Sequence, residues 1–101
     1  MISINDFKKV EIKVGKILKA ERIEGTTKLL KLEVDVGEHR QLVAGIAEVY
    51  KINELIGKQI IVLTNLQPAT IRGIKSEGML LAADARNGPV LLIPEKEVDV
   101  G

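Results

Sequence analysis

Residues 46–57, IAEVYKINELIG, break the rhythm of this chain. Ile46, Val49, Tyr50, Ile52 and Leu55 recur at helical spacing, and Gly57 supplies a C-terminal stop. On either side the apolar residues alternate instead. Val10, Ile12 and Val14 alternate with Glu11 and Lys13, which predicts a half-buried strand with its apolar set turned to the core. Beyond Gly15 the phase slips, so a bulge or sharp coil is expected there within one long first strand. KLLKLEVDV (28–36) alternates again and RQLVAG (40–45) reads as a short third strand. After the helix, KQIIVLTNL (58–66) has the β-branched run of a buried fourth strand. QPATIRGIKSEG (67–78) reads as loop, MLLAA (79–83) as a fifth strand, and Asn87-Gly88 as a hairpin turn into PVLLI.

Three strands, a helix, a strand, a long loop and a strand is the order of an all-β OB-fold with one short helix. The expected architecture is a five-stranded Greek-key barrel with an extra C-terminal hairpin, one domain over residues 1–101. An SH3-type barrel is the alternative, and the mid-chain helix sets it aside.

Composition narrows the chemistry. With no cysteine, disulfides, thiolate metal sites and cysteine nucleophiles are excluded, and a reducing cytoplasmic setting is expected. His39 is the only histidine, so no protein-ligated zinc is expected. Ser76 lies in KSEG rather than G-x-S-x-G, no phosphate-binding glycine loop occurs, and the carboxylates do not pair. The expectation is a protein that is not an enzyme, with no catalytic residues, metal or cofactor. No apolar run reaches the length of a membrane span, so no membrane partner is expected.

The net charge of +1 hides segregation: residues 1–31 carry +4, 32–56 carry −3, 57–83 carry +2 and 84–101 carry −2. An OB-fold takes ligands on strands two and three and on the loops joining strands one to two and four to five. Those loops hold Arg22, Lys28, Arg72 and Lys75, with Lys31 outward on the adjoining strand. Cations so placed suit a phosphate backbone. Phe7 and Tyr50 are the only aromatics, and neither is expected on the binding face; Phe7 is placed in the N-terminal turn and Tyr50 on the helix, capping the barrel. With no rings to stack on bases, general single-strand coating is disfavoured, and recognition of a folded RNA by shape and backbone remains.

DFKKVEIKVGKILKAE (6–21), KLLKLEVDVGE (28–38), QLVAGIAEVY (41–50), LIGKQIIVLTNLQPATIRGIKSEGMLLAA (55–83) and VLLIPEKEV (90–98) together resemble the tRNA-binding domain family. Its members are OB-fold modules attached to methionyl-tRNA synthetase C-termini or phenylalanyl-tRNA synthetase β chains, or standing alone. The resemblance implies a homodimer that binds the outer corner of tRNA and serves methionyl-tRNA synthetase as accessory module or β subunit. It carries RNA-contact roles onto Asn65, Arg72, Lys75, Ser76 and Met79, with Lys28 and Lys31 on phosphates. Met79 stays open between a base contact and core filling, and Asn65 between orienting the loop and capping a turn. The family's H-P-[NED]-A-[DE]-K-L segment is I-E-G-T-T-K-L here, so only Lys28 and Leu29 of it are kept. A second implied reading is a dimeric, peptide-binding chaperone of the secretion type, a branch of the same fold that typically lacks the Gly78-Met79 pair.

Overall fold

The computed structural model describes residues 1–101. The chain opens with a helical turn, α1 (Ile4–Phe7), held by a reciprocal cap. The Ser3 hydroxyl accepts from the Asp6 N–H at 3.1 Å, and Asp6 accepts from the Ser3 N–H. Then come β1 (Ile12–Arg22), β2 (Leu30–Asp35), β3 (His39–Ala44), α2 (Ile52–Leu55) and β4 (Gln59–Leu63). β5 (Ala69–Ile71) and β6 (Ile74–Ser76) form a hairpin, β7 (Met79–Leu80) is the fifth barrel strand, and β8 (Ala82–Ala85) with β9 (Gly88–Leu91) forms a second hairpin.

The main sheet runs β3-β2-β1-β4-β7, which makes β1 the strand shared between two partners. Its first part pairs with β4, Ile12 opposite Leu63 through Lys16 opposite Gln59, and its second part pairs with β2, Lys16 opposite Asp35 through Arg22 opposite Leu30. Changing partners requires a sharply coiled strand. The register shift that provides it falls between Ile17 and Lys19, at Leu18, three residues after the glycine expected to mark it. Gly15 instead faces inward, where an added Cβ would lie 2.8 Å from Val36 and 3.1 Å from Val62.

The sheet curls until β3 meets the chain around β7. The Glu77 N–H donates to Gln41 O at 2.8 Å and the Val43 N–H to Ser76 Oγ at 3.1 Å, leaving a nearly closed five-stranded barrel of the expected OB type. Its core is a single cluster containing Ile17, Leu30, Leu32, Val34, Val36, Leu42, Leu55, Ile60, Val62 and Leu80. The alternation of β2 therefore points inward as expected.

Three local expectations are corrected. The Val10/Ile12/Val14 set lies on the outer face, because inward residues 15 and 17 carry the opposite phase; Ile12 is 43% exposed. The helix is one turn, not twelve residues: 47–49 form a separate turn, and Tyr50 precedes α2 with its hydroxyl accepting from the Leu91 N–H at 3.0 Å. The second hairpin turns at Arg86-Asn87, since Ala85 faces Gly88. Phe7 ends α1, in the N-terminal turn as expected, and is 50% exposed.

The segment before β1 is pinned by two side chains at the end of β4. Asn65 Nδ2 donates to Lys9 O at 2.6 Å while its Oδ1 accepts from the Glu11 N–H at 2.8 Å. The Thr64 hydroxyl donates to Glu11 Oε1 at 2.6 Å. That hydrogen bond, and next the charge of Lys13, hold the Glu11 carboxyl below the usual carboxylate range. A depressed pKa contributes stability that is present above the ordinary glutamate range and lost as pH falls through the lowered value. Glu11→Gln should therefore melt earlier than wild type at neutral pH, and the two melting curves should converge in acid. A gap that stays constant across the titration would remove the charge of Glu11 from the account.

Candidate nucleic-acid interface

Strand register fixes which side chains share the outer face of β1, β2 and β3. Three rows cross it: Lys16–Asp35–His39, Lys19–Glu33–Gln41 and Glu21–Lys31–Val43. Acid faces base across β1 and β2 in every row, so the face is close to electrically balanced. Lys31 Nζ lies 2.6 Å from Glu21 Oε1, and His39 Nε2 lies 3.1 Å from Glu33 Oε1. The hydrogen bond to Glu21, reinforced by its charge, raises the Lys31 pKa, and the same contact lowers that of Glu21. Lys31 is thus outward as expected but already partnered.

The exposed cations of the two loops also lack an ion-pair partner, as do Lys16 and Lys19 on the sheet. Lys28 ends the 23–29 loop, which is ordered by its own bonds: the Thr26 hydroxyl donates to Ile23 O at 2.9 Å, and Lys28 O accepts from the Ala47 N–H at 2.9 Å. Arg22 leads into this loop from the end of β1. Arg72 and Lys75 are carried by the β5–β6 hairpin, which was expected as plain loop. Its tip is Arg72-Gly73, with φ +53° and +78°; Arg72 is the only non-glycine residue of the chain at positive φ. For a side chain other than Asn or Asp that conformation costs on the order of 1–2 kcal/mol, so the tip holds an arginine at the expense of stability.

The remaining predicted contacts have other positions. Ser76, assigned an RNA contact by resemblance, is 3% exposed. Its hydroxyl accepts from the Val43 N–H and donates to Gly78 O at 3.0 Å, so both capacities are spent on closing the barrel. Asn65 orients the N-terminal segment rather than the 67–78 loop. Met79 is half-buried on the outer face opposite Leu63 and is not part of the core cluster. There it extends an apolar row, Ile12–Leu63–Met79, beside Val14–Ile61 and the exposed Leu92, whose O accepts from the Ile61 N–H at 3.2 Å.

Two residues that the sequence reading passed over organise this site. Glu21 neutralises Lys31, which only the strand register reveals. Arg40 shares the inward phase of Leu42 and Ala44, and a cation in that phase is the signal that could have flagged it.

No group of three or more histidine, cysteine or acidic side chains is gathered as a metal site, and no helix is long and apolar enough to cross a membrane. The arrangement can offer separated cations on two loops, a balanced sheet face and an apolar outer row. It is an arrangement for binding.

Comparison with known proteins agrees with this geometry. Residues 12–101 match the family model described as "Putative tRNA binding domain". The chain is 54% identical over 101 residues to the methionine–tRNA ligase of Methanothrix thermoacetophila, covering 100% of this chain and 15% of that protein. It therefore spans only a small part of the curated ligase it matches. The crystal structure of a MetRS-related protein from Pyrococcus horikoshii superposes with a TM-score of 0.92 at 42% identity, covering 100% of this chain and 94% of that one. The crystal structure of the chaperone CsaA from Bacillus anthracis gives 0.88 at 30% identity, covering 98% and 93%. With its barrel, its loop cations and a family match over residues 12–101, the chain belongs to the tRNA-binding domain family.

Proposed function

We propose that residues 1–101 act as one tRNA-binding module, non-catalytic, that grips the phosphate backbone of a folded tRNA through its two loops. The observation that carries this reading is the unpaired cations Lys28, Arg72 and Lys75 on the loops an OB-fold uses for ligands. Lys31 supplies a weaker contact because Glu21 competes for it. Such a module raises the local concentration of tRNA near a methionyl-tRNA synthetase, as a segment of it or as a separate subunit, and it works in the cytoplasm as a homodimer.

Arg72→Asn tests the hairpin tip. Asparagine tolerates positive φ, so the variant should be at least as stable as wild type. It should bind tRNA more weakly, and the slope of log K against log salt should shrink by about 0.7–0.9 for the lost phosphate contact. Unchanged affinity and slope would remove Arg72 from the interface. Glu21→Gln should act in the opposite direction: with Lys31 released, low-salt affinity rises a few-fold and the slope steepens by up to about 0.9. A filter-binding titration that finds Glu21→Gln no tighter than wild type would put Lys31 outside the contact.

The apolar outer row and the likeness to CsaA favour one second reading, a dimeric chaperone holding extended peptide. Retention of unfolded polypeptide in high salt, with no tRNA bound at low salt, would reverse the order of the two.

A further inference from the structure

The hairpin that carries Arg72 and Lys75 belongs to the connection between β4 and β7, and Arg40 grips both ends of that connection. Its Nη1 donates to Thr64 O at 2.6 Å, one residue beyond β4, and to Glu77 O at 3.1 Å, two residues before β7. Its Nη2 donates to Glu38 Oε1 at 2.8 Å, which fixes the plane of the guanidinium. Arg40 lies opposite Val34 in the inward phase of β3, so the barrel wall aims the side chain at this junction. The descending limb has rivets of its own: Gln41 Nε2 donates to Lys75 O at 2.8 Å, and the Glu77 N–H to Gln41 O. No other side chain joins residue 64 to residue 77. Between Leu66 and Ile74 no side chain makes a hydrogen bond, so the pose of the tip is set by its ends.

We infer that Arg40 is a positioning residue for RNA binding: it sets the pose of the β5–β6 hairpin and thereby the phosphate affinity of Arg72 and Lys75. It acts without touching the RNA. A guanidinium can satisfy two carbonyls and a carboxylate at once in a fixed plane, whereas the point-like ammonium of lysine cannot hold all three. The inference rests on the tRNA reading for its consequence, but the clamp itself can be read without RNA.

The test uses the whole chain and two variants, Arg40→Lys and the milder Glu38→Gln, whose removed carboxylate is exposed. In hydrogen exchange without RNA, amides of residues 66–76 should lose protection about tenfold in Arg40→Lys and less in Glu38→Gln, while β1 and β2 amides stay as in wild type. In tRNA titrations, Arg40→Lys should weaken binding by about three- to tenfold, and this loss should vanish in an Arg72→Ala/Lys75→Ala background. Unchanged loop protection overturns the clamp. Loosening confined to the loop with an equal affinity loss in both backgrounds overturns its action through the hairpin. Absence of tRNA binding by wild type sinks the tRNA reading instead, and the exchange data still decide the clamp.

Discussion

Gly78→Ala is expected to remove a large part of the stability of this fold. Gly78 is buried at φ +138°, a conformation that L side chains rarely adopt, and an added Cβ would lie 2.8 Å from the backbone oxygen of Leu63. Leu42 at 3.4 Å and Val62 at 3.7 Å close the remaining space. Backbone strain at such a position costs on the order of 1–3 kcal/mol, and overpacking against a carbonyl that cannot swing away adds about as much. The sum, about 2–6 kcal/mol, is a large part of the roughly 5–15 kcal/mol total stability of a small domain. The damage is also placed where the barrel closes, because Gly78 O is the acceptor for the Ser76 hydroxyl that holds the Val43 N–H. Urea denaturation measures it, with Gly25→Ala as control. Gly25 has φ +83° with nothing within 4 Å of an added Cβ, so only the strain component, about 1–2 kcal/mol, should appear there. Equal losses in the two variants would mean that the close approach at Gly78 contributes nothing. Ser76→Ala should fall between them, at about 1–3 kcal/mol, because it strands a buried N–H.

How far the sequence carries the fold depends on which faces are wet. In β2 the inward set Leu30, Leu32 and Val34 opposes Lys31, Glu33 and Asp35, so alternation and burial agree. In β1 the same rule put Ile12 and Val14 inside and was wrong, because the outer face is apolar there as well. Alternation reports a change of polarity, not which side is the core. The spacing of Ile46, Val49, Ile52 and Leu55 is helical in period, yet it passes through a turn before α2 begins. Of the site, the loop positions of Lys28, Arg72 and Lys75 follow from element order. What Ser76 binds and what neutralises Lys31 do not: Val43 is 33 positions from Ser76, and Glu21 reaches Lys31 only through the β1–β2 register. The extra hairpin had a local signal, Ile71-Arg72-Gly73-Ile74, two apolar residues flanking a glycine-containing pair.

Ile12→Lys is the second large effect expected, and it concerns assembly. The sheet order places β1, β4 and β7 side by side, so Ile12, Leu63 and Met79 form one outward row and Val14 and Ile61 another. Ile4 and Phe7 of α1, 65% and 50% exposed, add apolar surface, and Asn65 fixes where that segment leaves the barrel. Apolar surface of this kind is poor to leave in water and good to cover. In the homodimer proposed above, a second copy related by a two-fold axis would cover it with the same residues. Under that symmetry one substitution places two ammonium groups in the interface, each desolvated without a partner. The dissociation constant of the dimer should rise by a factor of about 100 or more. The monomer should keep its melting temperature when measured well below that constant, because Ile12 is outside the core. Losing the second copy halves the number of loop cations on one tRNA, so affinity and salt slope should both fall further than in Lys31→Ala, which keeps the dimer. Sedimentation velocity across a concentration series reads the first effect and tRNA titration the second. If Ile12→Lys sediments as wild type at every concentration, the outer row is not the contact. If it dissociates yet binds tRNA with the wild-type slope, one copy alone makes the interface.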